Sequence, residues 1–163
     1  MFSRQDDPLS RPEGLIRQVY SYVAYQIGSG PDAEDVTSTV FERAVRYRDA
    51  FDPGKGDAVS WLLGIARRAL ADHLARPVPA PLYELDLAIP GSDPGESVIR
   101  HLSLEEALAA LSDSDRDLLS LRYGSDLKAR EIAVVLKSNT HAVEVALGRA
   151  KARLRRLLGD SST

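Results

Sequence analysis

The run FDPGKGDAVSWLLGIARRALADHLAR, residues 51–76, constrains the fold more than any other stretch of the chain. A Pro/Gly turn and a loop of small residues lead into a long helical segment. That segment is apolar on most sides, with Arg68, Asp72 and Arg76 left as a polar stripe. A helix so apolar must be covered on more than one side, and its covers are readable upstream. Leu15, Val19, Val23 and Ile27 fall four apart and predict a helix over about residues 13–27, ended by Gly28 and Gly30. A second helix starts near Pro31 and Asp32, where proline suits the first turn and Asp32, Glu34 and Asp35 complement the positive end of the dipole. Val36, Val40 and Ala44 form its inner stripe, with Phe41 and Val45 beside it. The third helix covers roughly residues 59–75, and Trp61 in its Trp-Leu-Leu-Gly-Ile run reads as core.

Five of the nine prolines (Pro77, Pro79, Pro81, Pro90, Pro94) follow this helix, so the next stretch reads as a linker. Within it Tyr83, Leu85, Leu87 and Ile89 alternate with Glu84, Asp86 and Ala88, which suits a short extended piece or an acidic strap. Beyond the linker four more helices are expected. Leu104, Leu108 and Leu111 mark the first; Ser112 or Ser114 caps the second, which ends at Gly124; the third spans 128–136. The last runs over about 140–158, with Val143, Leu147, Ala150, Leu154 and Leu157 inward. Scarce aromatics, 6%, also favour helix packing by Leu, Ala and Val over a β-sandwich. The expected fold is all-α: tail 1–12, helical domain 13–76 of three to four helices, Pro-rich acidic linker 77–101, helical domain 102–158 and tail 159–163.

The third and fourth of those last helices, with a turn at Lys137 to Asn139, make a helix-turn-helix. A helix fits the major groove, its N-terminal residues meeting base edges while basic residues reach phosphates. The net charge of −3 speaks against nucleic acid only if charge is evenly spread. It is not: five of the ten bases in residues 102–163 lie between Arg149 and Arg156 (Arg149, Lys151, Arg153, Arg155, Arg156). A local basic patch survives in an acidic protein.

Three ordered blocks then resemble the sigma factors of bacterial RNA polymerase, in the extracytoplasmic-function (ECF) group of the sigma-70 family. DAEDVTSTVFERAVR (32–46) resembles region 2.2, the 51–76 run region 2.3 with its leading loop, and LEEALAALSDSDRDLLSLRYGSDLKAREIAVVL followed by RAKARLRRLL region 4. The resemblance implies a protein that binds RNA polymerase core and directs promoter-specific initiation. The region 2.2 face with Asp35, Ser38, Thr39, Glu42 and Arg43 would meet the β′ coiled coil, and region 4 the β flap. Minus-10 DNA would be opened by Lys55, Asp57, Ala58 and Val59 in the loop and by Arg67 and Arg68 on the helix. The minus-35 element would be met by Thr140, His141, Glu144, Val145 and Gly148, with Arg149 and Arg153 on phosphates. The linker would lie in the polymerase channel that later carries RNA, and an anti-sigma protein would hold the factor in check.

The chain departs from the family at several of these positions. Ser38 and Thr39 stand where Gln-Glu is frequent, Ala58 and Val59 where an aromatic and an arginine are common, Glu144 and Ala146 where Lys or Arg is usual. These departures keep open a sigma-like protein-interaction module or decoy whose partner is a regulatory protein. A stand-alone helix-turn-helix repressor accounts for the C-terminus but leaves residues 31–76 without a role.

Enzyme chemistry finds no support. His73, His101 and His141 lack metal-ligand spacing, and Glu105 and Glu106 point to different sides of a helix. There is no phosphate loop and no nucleophile elbow. No catalytic residue, metal or cofactor is therefore expected. Absence of cysteine fits a reducing cytoplasm, and neither a signal-like start nor a span of membrane length occurs.

Overall fold

A computed structural model describes residues 7–76 and 103–159, and every regular element among them is helical. The alternating 83–89 stretch lies outside the described residues. The first unit comprises α1 (Pro12–Ile27), α2 (Pro31–Arg46), a short 3-10 turn (Arg48–Ala50) and α3 (Ala58–Ala75). Proline opens both α1 and α2, where its missing N–H is not needed. Gly28 ends α1 at φ +86°, its N–H bonding Ala24 O. The three helices close on Val19, Val23, Val40, Leu62, Leu63 and Ala66, all at most 1% exposed. Each fully buried Val or Leu of this kind stabilises by about 1.5–3 kcal/mol.

The second unit comprises α4 (Leu104–Ala110), α5 (Asp113–Leu119), a π-helical turn (Ser120–Gly124), α6 (Ala129–Leu136) and α7 (Thr140–Leu157). Side-chain caps mark its starts. Ser103 and Glu106 form a reciprocal capping box on α4, Ser112 Oγ accepts the Asp115 N–H on α5, and Asn139 Oδ1 accepts the Ala142 N–H on α7. Arg116 closes α4 from below, donating to the carbonyls of Leu108, Ala109 and Leu111 at 2.8, 3.1 and 2.7 Å. Carbonyls at a helix end have spare acceptor capacity that such a side chain can fill.

The helix bounds follow the periodicity closely, but some burial does not. Val45 is 60% exposed rather than packed beside the α2 stripe, and Leu104 is 48% exposed. Leu154 and Leu157 are only partly buried, at the edge of a small cluster built on Leu108, Leu111, Leu119 and Ala150. The largest surprise is the relation of the two units. α1 packs on the π-helical turn and α3 on α6, so Leu118, Leu121, Leu127, Ile132, Val143 and Leu147 share one continuous core with residues of the first unit. Backbone closeness is strict at Gly124, where an added Cβ would meet Ser21 O at 3.0 Å and Tyr22 Cα at 3.2 Å.

Candidate nucleic-acid and polymerase interface

The helix-turn-helix is built by α6, a left-handed residue at Lys137 (φ +53°) and α7. Asn139 fixes the entry of α7, whose inner stripe of Val143, Leu147 and Ala150 is buried. The opposite flank is therefore free of packing. Thr140, His141, Glu144, Val145, Gly148 and Arg149 lie on it at helical spacing and are all exposed. The expected minus-35 set is thus brought together, apart from one member. Arg153 donates from Nη1 to both carboxylate oxygens of Asp115, at 2.9 and 2.7 Å. Asp115 is nearly buried, so Arg153 is held as the counter-ion of an inward carboxylate instead of projecting freely. Arg122 and Lys151 both lie over the ring of Tyr123, at 5.5 and 6.0 Å from its centroid.

The expected minus-10 residues divide into three groups. Lys55 and Arg68 are exposed. Asp57 is the N-cap of α3, accepting the Ser60 N–H at 2.9 Å, and Ala58 and Val59 sit in the first turn of that helix, partly buried against the core. They are not loop residues, because the cap starts the helix before them. Trp61 packs edge-on to Phe51 at 5.4 Å, which gives it a core role. Arg67 stays partly exposed and bonds Asp117 of the second unit at 3.0 Å.

That contact belongs to a network the sequence reading missed. Asp117 Oδ1 accepts from Tyr22 Oη at 2.5 Å and from Gln26 Nε2 at 3.1 Å, while Oδ2 takes Arg67. Burial first, and Asp117 second, push the Tyr22 hydroxyl far above its ordinary value of 10.0, so it stays a donor. One helical turn before Tyr22, Gln18 donates to Ser125 O at 3.0 Å and its carbonyl accepts from Ser125 Oγ at 2.8 Å. Gln18, Tyr22 and Gln26 are four apart. That is a polar stripe beside the apolar one, and it was the available signal.

On α2, Asp35, Ser38 and Glu42 are exposed and form one face. Thr39 and Arg43 are more enclosed: Thr39 Oγ1 donates to Asp35 O at 3.1 Å, and Arg43 pairs with Asp72 of α3 at 2.9 Å. No cluster of metal-ligating side chains occurs among the described residues.

Two packed helical units, the second ending in an open helix-turn-helix, define a helical protein of the DNA-recognising class. Comparison narrows the class. The Sigma-70 region 2 model matches residues 13–77 and the Sigma-70, region 4 model residues 101–154. The chain is 33% identical over 151 residues to the ECF RNA polymerase sigma factor BldN of Streptomyces coelicolor, covering 88% of this chain and 57% of that relative. Among solved structures, the sigma factor RpoE from Bartonella quintana, in complex with the anti-sigma factor NepR, superposes with TM-score 0.66 at 19% identity, over 90% of this chain and 93% of that one. CnrH, in complex with the cytosolic domain of CnrY, gives TM-score 0.61 at 26% identity, over 91% and 82%. The chain belongs to the sigma-70 family of RNA polymerase sigma factors, in its extracytoplasmic-function group.

Proposed function

We propose that the chain is an alternative sigma factor that binds RNA polymerase core and directs promoter-specific initiation. The observation that carries this reading is the ordered pair of sigma-70 regions, 2 then 4, on a fold whose α7 flank is open to a groove. The division into domains 13–76 and 102–158 with linker 77–101 belongs to the same reading.

In it, the α2 face of Asp35, Ser38 and Glu42, with Thr39 and Arg43 at its edge, engages the β′ coiled coil, and the second unit engages the β flap. Lys55, Arg67 and Arg68 serve minus-10 DNA; Asp57, Ala58 and Val59 act there chiefly by fixing the start of α3. Thr140, His141, Glu144 and Val145 face the minus-35 bases, with Arg149 on phosphate. Arg67 and Arg153 each hold a carboxylate through one nitrogen, Nε and Nη1, and would reach phosphate with their remaining N–H groups or by exchanging that partner. In this reading the polymerase performs the chemistry. The chain acts in the cytoplasm. No helix among the described residues is long and apolar enough to cross a membrane. An anti-sigma protein is the expected regulator, as CnrH was solved with the cytosolic domain of CnrY.

Run-off transcription with purified core polymerase on promoters from the organism's own genome tests the reading. Promoter-specific transcripts are expected, and failure to bind core in a pull-down would refute it. Glu144, exposed on the groove-facing flank, favours a second reading in which the fold mainly binds a regulatory protein. Core binding without transcription on any promoter would select that one.

A further inference from the structure

The two units that carry the candidate DNA-facing residues are packed on each other. A Cβ built on Gly56, in the loop before α3, would lie 3.2 Å from Val134 Cγ1 on α6, the helix that precedes the turn into α7. The minus-10 and minus-35 elements are about 25 base pairs apart by name, which at about 3.4 Å each is on the order of 80 Å of duplex. One molecule in this arrangement cannot meet both elements. It must open, and opening breaks a defined set of contacts.

We propose that Asp117 is the latch of a closed, self-inhibited state, seated on the stripe of Gln18, Tyr22 and Gln26 along α1 and on Arg67 of α3. This rests on the sigma reading for its consequence, though not for its geometry. Three donors from the first unit converge on the one carboxylate, and Ser125 and Gln18 exchange a reciprocal pair of hydrogen bonds one turn away. Gly124 lets the backbones approach between them. The latch engages a candidate DNA-facing side chain: Asp117 takes the Arg67 Nε–H and so sets how the guanidinium is presented to a phosphate. Closure therefore ties the orientation of Arg67 to the second unit and fixes the spacing between the two surfaces. The seat is specific to one carboxylate, because the buried Tyr22 hydroxyl left without its acceptor loses more than a single exposed ion pair does. A partner that favours either state shifts the equilibrium only by its differential affinity for the two.

The experiment uses the full chain, which has no cysteine of its own. Glu34→Cys on α2 and Ala152→Cys on α7, both at exposed positions, carry spin labels across the two units. Electron-electron distances are measured in the free protein, in Asp117→Ala and in Tyr22→Phe. The second variant keeps the ring and removes only the hydroxyl, so it guards against a general loss of folding. The native chain is expected to give one narrow, short distribution. Asp117→Ala should raise the ratio of long to short distances about tenfold or more, and Tyr22→Phe should raise it several-fold. A native distribution that is already broad, or variants that both keep the native one, would overturn the latch. In parallel, transcription from a matched promoter should rise with Asp117→Ala. Lengthened distances with no transcription from any version would sink the sigma reading and leave the latch standing.

Discussion

At the scale of single residues, burial and pairing decide which side chains are available for function. Glu144 is the informative case. It is exposed on the α7 flank among the residues proposed to face the groove, and it carries the wrong charge for phosphate. Glu144→Lys should raise duplex affinity several-fold and steepen the dependence of log affinity on log salt by about 0.9, the share of one phosphate contact. A titration series across salt concentrations reads both, and an unchanged slope would place this side chain away from the backbone. Asp57 shows the opposite lesson, since its carboxylate is consumed in capping α3. Asp57→Ala should lower stability by about 1 kcal/mol, whereas Asp57→Ser, which can still accept from the Ser60 N–H, should stay within a few tenths. Thermal unfolding separates the two. Equal losses would mean that the charge, not the cap, matters.

At the scale of elements, periodicity made most of the fold legible. The spacings of four and three in α1, α2 and α7 fixed their faces, and Ser112 announced α5. What stayed illegible has local physical causes. The π-helical turn forms because the Ser125 N–H reaches back five residues to Ser120 O, a choice made by packing on α1 rather than by propensity. Arg116 supplies the end of α4 from the next helix, which no spacing within α4 announces. Lys137 ends α6 in a left-handed conformation that glycine adopts at less cost. Lys137→Gly should therefore stabilise the helix-turn-helix by about 0.5–1 kcal/mol, a shift of a few degrees in melting temperature at this chain length. A lowered melting temperature would show that the lysine side chain contributes more than its backbone costs.

At the scale of the whole molecule, the candidate site was only half readable because its residues were assigned unit by unit. The α7 flank emerged from its own sequence; the fate of Arg67 did not, since Asp117 lies fifty residues away and nothing local links them. The stripe Gln18, Tyr22 and Gln26 was the clue to an interface, and only the opposite unit explains why polar groups line a buried flank. A shared core has a thermodynamic consequence. Val143 and Leu147 of one unit and Leu62 and Leu63 of the other belong to one buried cluster, so the units should unfold together in a single cooperative transition. Gly124→Ala tests this without touching any charge. Its Cβ would press on backbone atoms of Ser21 and Tyr22, which cannot swing aside as a side chain can. The substitution sits outside an α-helix and needs no unusual φ, so its effect inside the second unit is small. Calorimetry should therefore show the single native transition split into two, each smaller in enthalpy, with the lower one belonging to whichever unit depended more on its neighbour. One transition that merely moves to lower temperature would mean that the units tolerate the wedge and that their coupling is spread more widely than the Gly124 contact.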